Sequence, residues 1–200
     1  MPPRFDSLLI VALLCLFAGA LLFFLDGKFA LPLMGPGAVL VGCAFLLGGI
    51  DSVFRRRHVS GESQGSSKIV YRGVGAIFWG LSFLLIGFAV IAAGLVETFG
   101  ALDRVLTLLR ERPGAPMLWG GLLLVAIGGG LRAPWRRADG SAPPGFTLLP
   151  GRIGGTFLIL LGLFIVALGS YEVMFPEDFD AALQALLNTI PTPPPLPARP

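Results

Sequence analysis

Five apolar segments dominate the chain, and each is bounded by charged residues or by clusters of glycine and proline. They cover residues 8–25, 31–50, 75–96, 116–131 and 153–175. A helix needs about 20 apolar residues to cross roughly 30 Å of hydrocarbon. The fourth segment is shorter than this, so its crossing requires local thinning of the bilayer or extension by flanking residues. The pattern predicts an all-α membrane protein with five transmembrane helices.

Composition supports the same class. The chain is 54% hydrophobic and 14% charged, whereas a soluble domain has roughly a quarter of its residues charged. We expect one transmembrane domain over residues 1–190 and an extended, proline-rich external tail over residues 191–200. The first segment has the outline of a signal peptide, but its apolar run continues through Leu25, which favours an uncleaved first helix.

The placement of basic residues predicts an orientation. With a cytoplasmic N-terminus, 10 of the 15 lysines and arginines fall on the inside, as the positive-inside rule requires. The C-terminus is then periplasmic or external, and the favoured location is a bacterial inner membrane. Two arginine clusters follow the second and fourth spans and are interpreted as topology anchors that contact anionic lipid headgroups; they are Arg55, Arg56, Arg57, Arg136 and Arg137.

The two halves of the chain correspond at an offset of about 80 residues. Residues 48–50 and 54–56 align with residues 129–131 and 135–137, and residues 97–101 align with 177–181. Each unit contains a helix, a basic loop, a second helix and an external segment. Because two helices separate equivalent positions, the sequence predicts two parallel repeats rather than inverted ones.

The external segments carry apolar stripes with helical spacing. The predicted external helices cover about residues 98–110 and 177–190. Glu97 supplies negative charge at the start of the first, and Glu177 and Asp178 do so at the start of the second. Such helices lie flat at a membrane interface or dock on other protein, and the sequence leaves both open. The stripe residues are Phe99, Leu102, Leu106 and Leu109 in the first, and Phe179, Leu183, Leu186, Leu187 and Ile190 in the second.

Glycines recur every seven residues in the third and fifth spans. Small residues let helix backbones approach closely in lipid, where the hydrophobic effect does little to join helices. We therefore expect helix-packing faces, either within one chain or between chains, at Gly73, Gly80, Gly87 and Gly94 and at Gly155, Gly162 and Gly169.

Reactive chemistry is sparse. No charged residue lies in the middle of a predicted span, although intramembrane charge is the usual marker of an ion path or substrate site. His58 is the only histidine, and Cys15 and Cys43 lie apart in apolar segments. We therefore predict no enzyme activity, no catalytic residue, no cofactor or metal site and no nucleic-acid partner.

Two functions remain. The favoured one is an accessory or structural subunit that packs against a larger membrane complex. Its expected partners are the lipid bilayer and either other membrane protein subunits or further copies of itself. The alternative is a self-sufficient, homo-oligomeric transporter or channel with a path between the second and fourth spans, whose starts at residues 32–37 and 113–120 are interrupted by glycine and proline.

One further feature favours transport. Residues 34–37 read Met-Gly-Pro-Gly at the start of the second span, ahead of a basic loop. This layout loosely resembles the small membrane subunit of bacterial tripartite tricarboxylate transporters. The resemblance covers one tetrapeptide and the order of elements, and it implies a role as the small membrane subunit of a multi-component solute transporter.

Overall fold

The computed structural model describes residues 34–60, 69–137 and 145–189, together with residues 11, 14, 15 and 17–21. Its helices are α1 (Met34–Arg55), α2 (Val74–Thr98), α3 (Leu102–Glu111), α4 (Gly114–Arg132), α5 (Gly145–Met174) and α6 (Pro176–Thr189). Its strands are β1 (Arg57–Ser60), β2 (Ile69–Arg72) and β3 (Trp135–Arg137). Most of the predicted first span and the whole proline-rich tail lie outside the described residues.

Four described helices are long and apolar enough to cross a membrane: α1, α2, α4 and most of α5. The protein is therefore a predominantly helical, multi-pass membrane protein, as predicted. The fourth span is longer than its apolar core suggests, because α4 extends over 19 residues, or about 28 Å of helix. It begins at Gly114, directly after Pro113, and α1 begins at Met34, so neither start is broken in the described residues.

The boundary between α2 and α3 differs from the prediction. The first external helix was expected from about residue 98, but α2 runs to Thr98 and α3 starts at Leu102. Gly100 has a φ of 61°, and this left-handed conformation is a common way to end a helix. Glu97 consequently belongs to the last turn of α2, while Asp103 supplies the acidic residue in the first turn of α3.

The start of α5 also differs. The fifth span was expected from residue 153, whereas α5 begins at Gly145 and includes Pro150. A proline in a helix removes one backbone hydrogen bond, which is why the sequence pattern suggested a later start. The second external helix, by contrast, lies within one residue of its predicted bounds, with Glu177 and Asp178 in its first turn.

Glycine contacts hold α1 against α2 and α4 against α5 in two antiparallel hairpins. At each contact, a Cβ atom added to the glycine of α1 or α4 would lie 2.6–2.8 Å from the carbonyl oxygen of its partner glycine. Real Cβ atoms do not approach that closely, so the backbones themselves are in contact. The pairs are Gly35 with Gly94, Gly42 with Gly87 and Gly49 with Gly80, then Gly114 with Gly169, Gly121 with Gly162 and Gly128 with Gly155.

The spanning helices form a single row. Extensive contacts join α1 to α2, α2 to α4 and α4 to α5, and no other pair of described spans contacts substantially. The hairpins meet where Gly129 packs on the ring of Phe78 and Gly130 on that of Trp79. Beyond α1, Gly19 of the first predicted span lies against the backbone of Gly37. A single row leaves two sides of most helices open to lipid.

A three-stranded antiparallel sheet, not predicted from the sequence, lies at one end of the row. Its strand order is β1-β2-β3, so β2 joins the loop of the first hairpin to the loop of the second. Val70 and Tyr71 of β2 are buried. Because α1 leads into β1 and β2 leads into α2, the external helices α3 and α6 lie at the opposite end.

Alanine substitution of two adjacent glycines in α1, Gly48 and Gly49, tests the hairpin packing. A Cβ on Gly49 meets the backbone of Gly80, whereas a Cβ on Gly48 meets nothing within 4 Å. We expect Gly49→Ala to lower the free energy of unfolding by about 1–3 kcal/mol through overpacking. Gly48→Ala, the matched control, should stay within about 1 kcal/mol of the parent. Unfolding in mild detergent or bicelles measures both; equal effects would contradict the backbone contact.

Candidate functional site

The sheet collects arginines from both basic loops onto one surface. Its register places Arg57 opposite Arg72 and Arg136 opposite Val70. Paired residues in an antiparallel sheet point to the same side, so these three arginines share one face, here called the arginine face (Arg57, Arg72 and Arg136). All three are exposed. Arg72 was not singled out from the sequence, because it is separated from both arginine clusters along the chain.

The other predicted anchor residues have different surroundings. Arg55 ends α1 and forms an ion pair with Asp51, at 2.7 Å between Nε and Oδ1. Arg56 is exposed in the turn before β1 with a φ of 48°, and its carbonyl accepts a hydrogen bond from the backbone N–H of Gly73. Arg137 lies in β3, but its side chain is outside the described part of the structure.

The opposite face of the sheet packs on the helices through aromatic rings. His58 stacks on Trp79, with ring centroids 5.7 Å apart, and lies 5.2 Å from the centroid of Phe83. Its Nδ1 shares a hydrogen bond of 3.0 Å with Ser52 Oγ at the end of α1. Tyr71 completes the group, 5.7 Å from Trp79. The sheet therefore folds back against the first hairpin.

Burial in this cluster shifts the pKa values of two side chains, His58 and Tyr71. Removal from water disfavours the charged form of each group, so it lowers the pKa of His58 below its ordinary 6.5 and raises the pKa of Tyr71 above 10. His58 is therefore held in its neutral form at neutral pH. Among the described residues, no three His, Cys, Asp or Glu side chains are placed to hold a metal ion.

Glu172 is buried at the far end of the second hairpin. The sequence places this carboxylate near a helix end, and in the structure it is only 3% exposed. Its Oε2 accepts a hydrogen bond of 2.9 Å from the backbone N–H of Gly114, at the start of α4. A carboxylate there satisfies one free N–H and interacts favourably with the helix dipole. Its position is that of a capping group between helices.

Six of the seven predicted packing glycines lie in the hairpin contacts, all of them within one chain. The exception is Gly73, which precedes α2 with a φ of 62° and has open space around the position of a Cβ atom. It forms the turn from β2 into α2. The glycines of α1 and α4 that pair with these six were not predicted to be packing residues, although they too recur every seven residues. They are Gly35, Gly42, Gly49, Gly114, Gly121 and Gly128.

The predicted external stripes are largely exposed. Phe99 follows the last residue of α2 and is 78% exposed, and α3 exposes Leu102, Leu106 and Leu109. In α6, Leu183 is exposed, while the ring of Phe179 lies 6.5 Å from that of Tyr171. The side chains of Leu186 and Leu187, and the whole of Ile190, are outside the described part of the structure.

Removing the Glu172 carboxylate tests its capping role. We expect Glu172→Leu to lower the free energy of unfolding by about 1–3 kcal/mol, because the N–H of Gly114 loses a buried partner. Hydrogen exchange at the Gly114 amide should accelerate as well. Glu172→Gln retains an acceptor and should lose less, and Glu97→Leu alters an exposed glutamate as control. Unchanged exchange in the leucine variant would contradict the cap.

The pKa of His58 can be measured directly, because the chain has one histidine. A ring-proton NMR titration should give a pKa below 6.5, the unfolded value, since burial disfavours the imidazolium. The stabilisation from neutral His58 is then present above pH 6.5 and is lost as the pH falls through the folded pKa. His58→Asn should remove this part of the pH dependence of unfolding. A pKa at or above 6.5 would contradict burial of the ring.

No protein-family model, curated protein or solved structure matches the chain. The described residues provide an exposed arginine face, a histidine enclosed by aromatic rings behind it, and a buried carboxylate that caps a helix at the far end.

Proposed function

We propose that this protein is a small, non-catalytic, multi-pass subunit that packs against a larger membrane complex. The observation that carries the proposal is the row of helices whose internal contacts are made by backbone. Where glycines bring two backbones together, no space is left between the helices of a hairpin for a solute. The four described spans also enclose no central axis, since α1 and α5 do not contact each other substantially.

Three hydroxyl groups in the spans support this interpretation, because each donates a hydrogen bond to the backbone of its own helix. Ser82 donates to the carbonyl of Phe78, Thr98 to that of Gly94 and Thr156 to that of Arg152, at 2.7–2.9 Å. Such bonds satisfy hydroxyl groups locally. In the described spans, these hydroxyl protons are thus not free to donate hydrogen bonds to a solute.

The external helices supply surfaces for a partner. Helix α3 has no buried residue, and its apolar stripe is continuous with exposed Phe99. An apolar stripe of this kind is stable only when lipid or protein covers it. In the proposed complex, α3 and α6 contact the partner at the membrane surface.

The proposal includes a finer topology of five spans with the N-terminus inside and the C-terminus outside, in a bacterial inner membrane. Its support is the distribution of charge between the two ends of the row. The sheet end carries the arginine face together with Arg55 and Arg56, while the described basic residues at the other end are Arg104, Arg110 and Arg112 of the α3 region. By the positive-inside rule, this distribution favours a cytoplasmic location for the sheet end.

The proposal also includes two parallel repeats. Both hairpins have three glycine pairs at intervals of seven residues, which is the support for a duplicated unit. The structural counterparts differ from those of the sequence alignment. Gly80 corresponds to Gly155 by its place in the hairpin, an offset of 75 residues (155 − 80) rather than about 80.

Purification from native membranes in mild detergent tests the subunit proposal. We expect a larger membrane protein to accompany the chain, and Leu106→Glu to release it, because a charge is placed on the apolar stripe of α3. Thr107→Glu adds the same charge one position away, off the stripe, and should retain the partner. Recovery of the chain alone as monomer or homo-oligomer would contradict the proposal, and solute flux by the reconstituted chain would favour the transporter.

A further inference from the structure

The arginine face places like charges in direct opposition. Arg57 and Arg72 are cross-strand partners, and directly opposed residues in antiparallel strands have Cβ atoms about 4.5–5.5 Å apart. Arg136 pairs with Val70, which puts it diagonal to Arg72 and within reach of a long side chain. Like charges in such positions destabilise a sheet unless an anion lies between them.

No anion from the described chain fills that role. The ion pair recorded among the described residues joins Arg55 to Asp51 on α1, and all three residues of the arginine face are exposed. Among the residues that the structure describes, the face therefore presents positive charge from three separate strands without an acidic partner. Guanidinium groups bind phosphate oxygens through paired N–H donors, so a phosphate group is the anion that this face suits best.

The depth of the sheet indicates where that phosphate comes from. The face of the sheet opposite the arginine face contacts Trp79 and Phe83 through His58. At 1.5 Å per residue, these two residues lie about 8 and 14 Å along α2 from its first residue, Val74. The 25 residues of α2 span about 38 Å, roughly 4 Å beyond the hydrocarbon at each end when centred. The sheet is consequently level with the lipid headgroups rather than in bulk water.

The residues around the sheet match that depth. Tyr71, Trp79 and Trp135 lie at this end of the row, and tyrosine and tryptophan are enriched where membrane meets water. Val59 shares the side of the arginine face and is 47% exposed. A surface that mixes exposed apolar and cationic side chains suits the boundary between acyl chains and headgroups.

We propose that Arg57, Arg72 and Arg136 form one binding site for the headgroup phosphate of an anionic phospholipid. The site exists only in the folded protein, because β2 holds the two loops together. It differs from a pair of independent loop anchors in requiring Arg72 and in excluding Arg55, which is paired with Asp51. It does not depend on the proposed subunit function.

Lipid binding by the purified full chain tests the site. Native mass spectrometry, or thermal stabilisation on adding lipid, compares phosphatidylglycerol with zwitterionic phosphatidylcholine. We expect preferential binding of phosphatidylglycerol. At about 1 kcal/mol per arginine, Arg72→Gln should weaken it about fivefold, and Gln at all three positions about a hundredfold.

A matched control removes the same charge elsewhere. The control variant replaces three arginines at the other end of the row with Gln: Arg104, Arg110 and Arg112. Its affinity for phosphatidylglycerol should stay within about twofold of that of the parent. Lys at the three sheet positions keeps the charge but not the paired N–H donors, so affinity should fall between the parent and the Gln variant. This Lys variant and Arg72→Gln keep the test decisive if the triple Gln variant does not fold.

Three results would overturn the proposal. Equal loss of affinity in the control triple would show that general charge, not this site, attracts the lipid. Equal binding of phosphatidylcholine would show that the headgroup charge is not recognised. Displacement of phosphatidylglycerol by millimolar inorganic phosphate, with equal stabilisation by phosphate alone, would identify a soluble anion as the ligand.

Discussion

Contact between glycine backbones is the constraint on which the rest of the molecule depends. In lipid, helices gain little by hiding apolar side chains from one another, so close packing must supply the attraction. Three glycine pairs in each hairpin allow that approach. They also fix the antiparallel register, and the register decides which loops meet. Because α1 and α2 end level with each other, β1 and β2 can pair, and the sheet follows from the packing inside the membrane.

The sheet and the row of helices constrain each other in turn. Contact between the hairpins is made by α2 and α4, with Phe78 and Trp79 seated on glycines of α4. The same two helices are connected at their ends by pairing of β2 with β3. His58 joins the sheet to the first hairpin, because its ring stacks on Trp79 and its Nδ1 shares a hydrogen bond with Ser52. The chemistry of the molecule is therefore concentrated where the hairpins join, while the far end carries the cap at Glu172 and the exposed helices.

Four of the five spans predicted from the sequence are apolar helices in the structure, because hydropathy over some 20 residues is a strong local signal, and most of their ends lie within a few residues of the predicted bounds. Sequence reasoning did not find the sheet, since strands of three or four residues have no measurable periodicity and β3 comes from a distant loop. It also read Glu97 as the start of an external helix, because the left-handed Gly100 that ends α2 is invisible in an apolar pattern. The glycine spacing of seven is present on all four spans, but which glycines pair with which is visible only in the folded hairpins.

The order of strands in the sheet has a consequence for biosynthesis. The first hairpin completes β1 and β2 together, whereas β3 is made only after the roughly 60 residues that contain α2, α3 and α4, a delay of several seconds at 5–20 residues per second. During that interval one edge of β2 has unpaired backbone groups, a template for wrong partners. Correct folding thus depends on timing: insertion of the second hairpin must precede any encounter of that edge with another nascent chain.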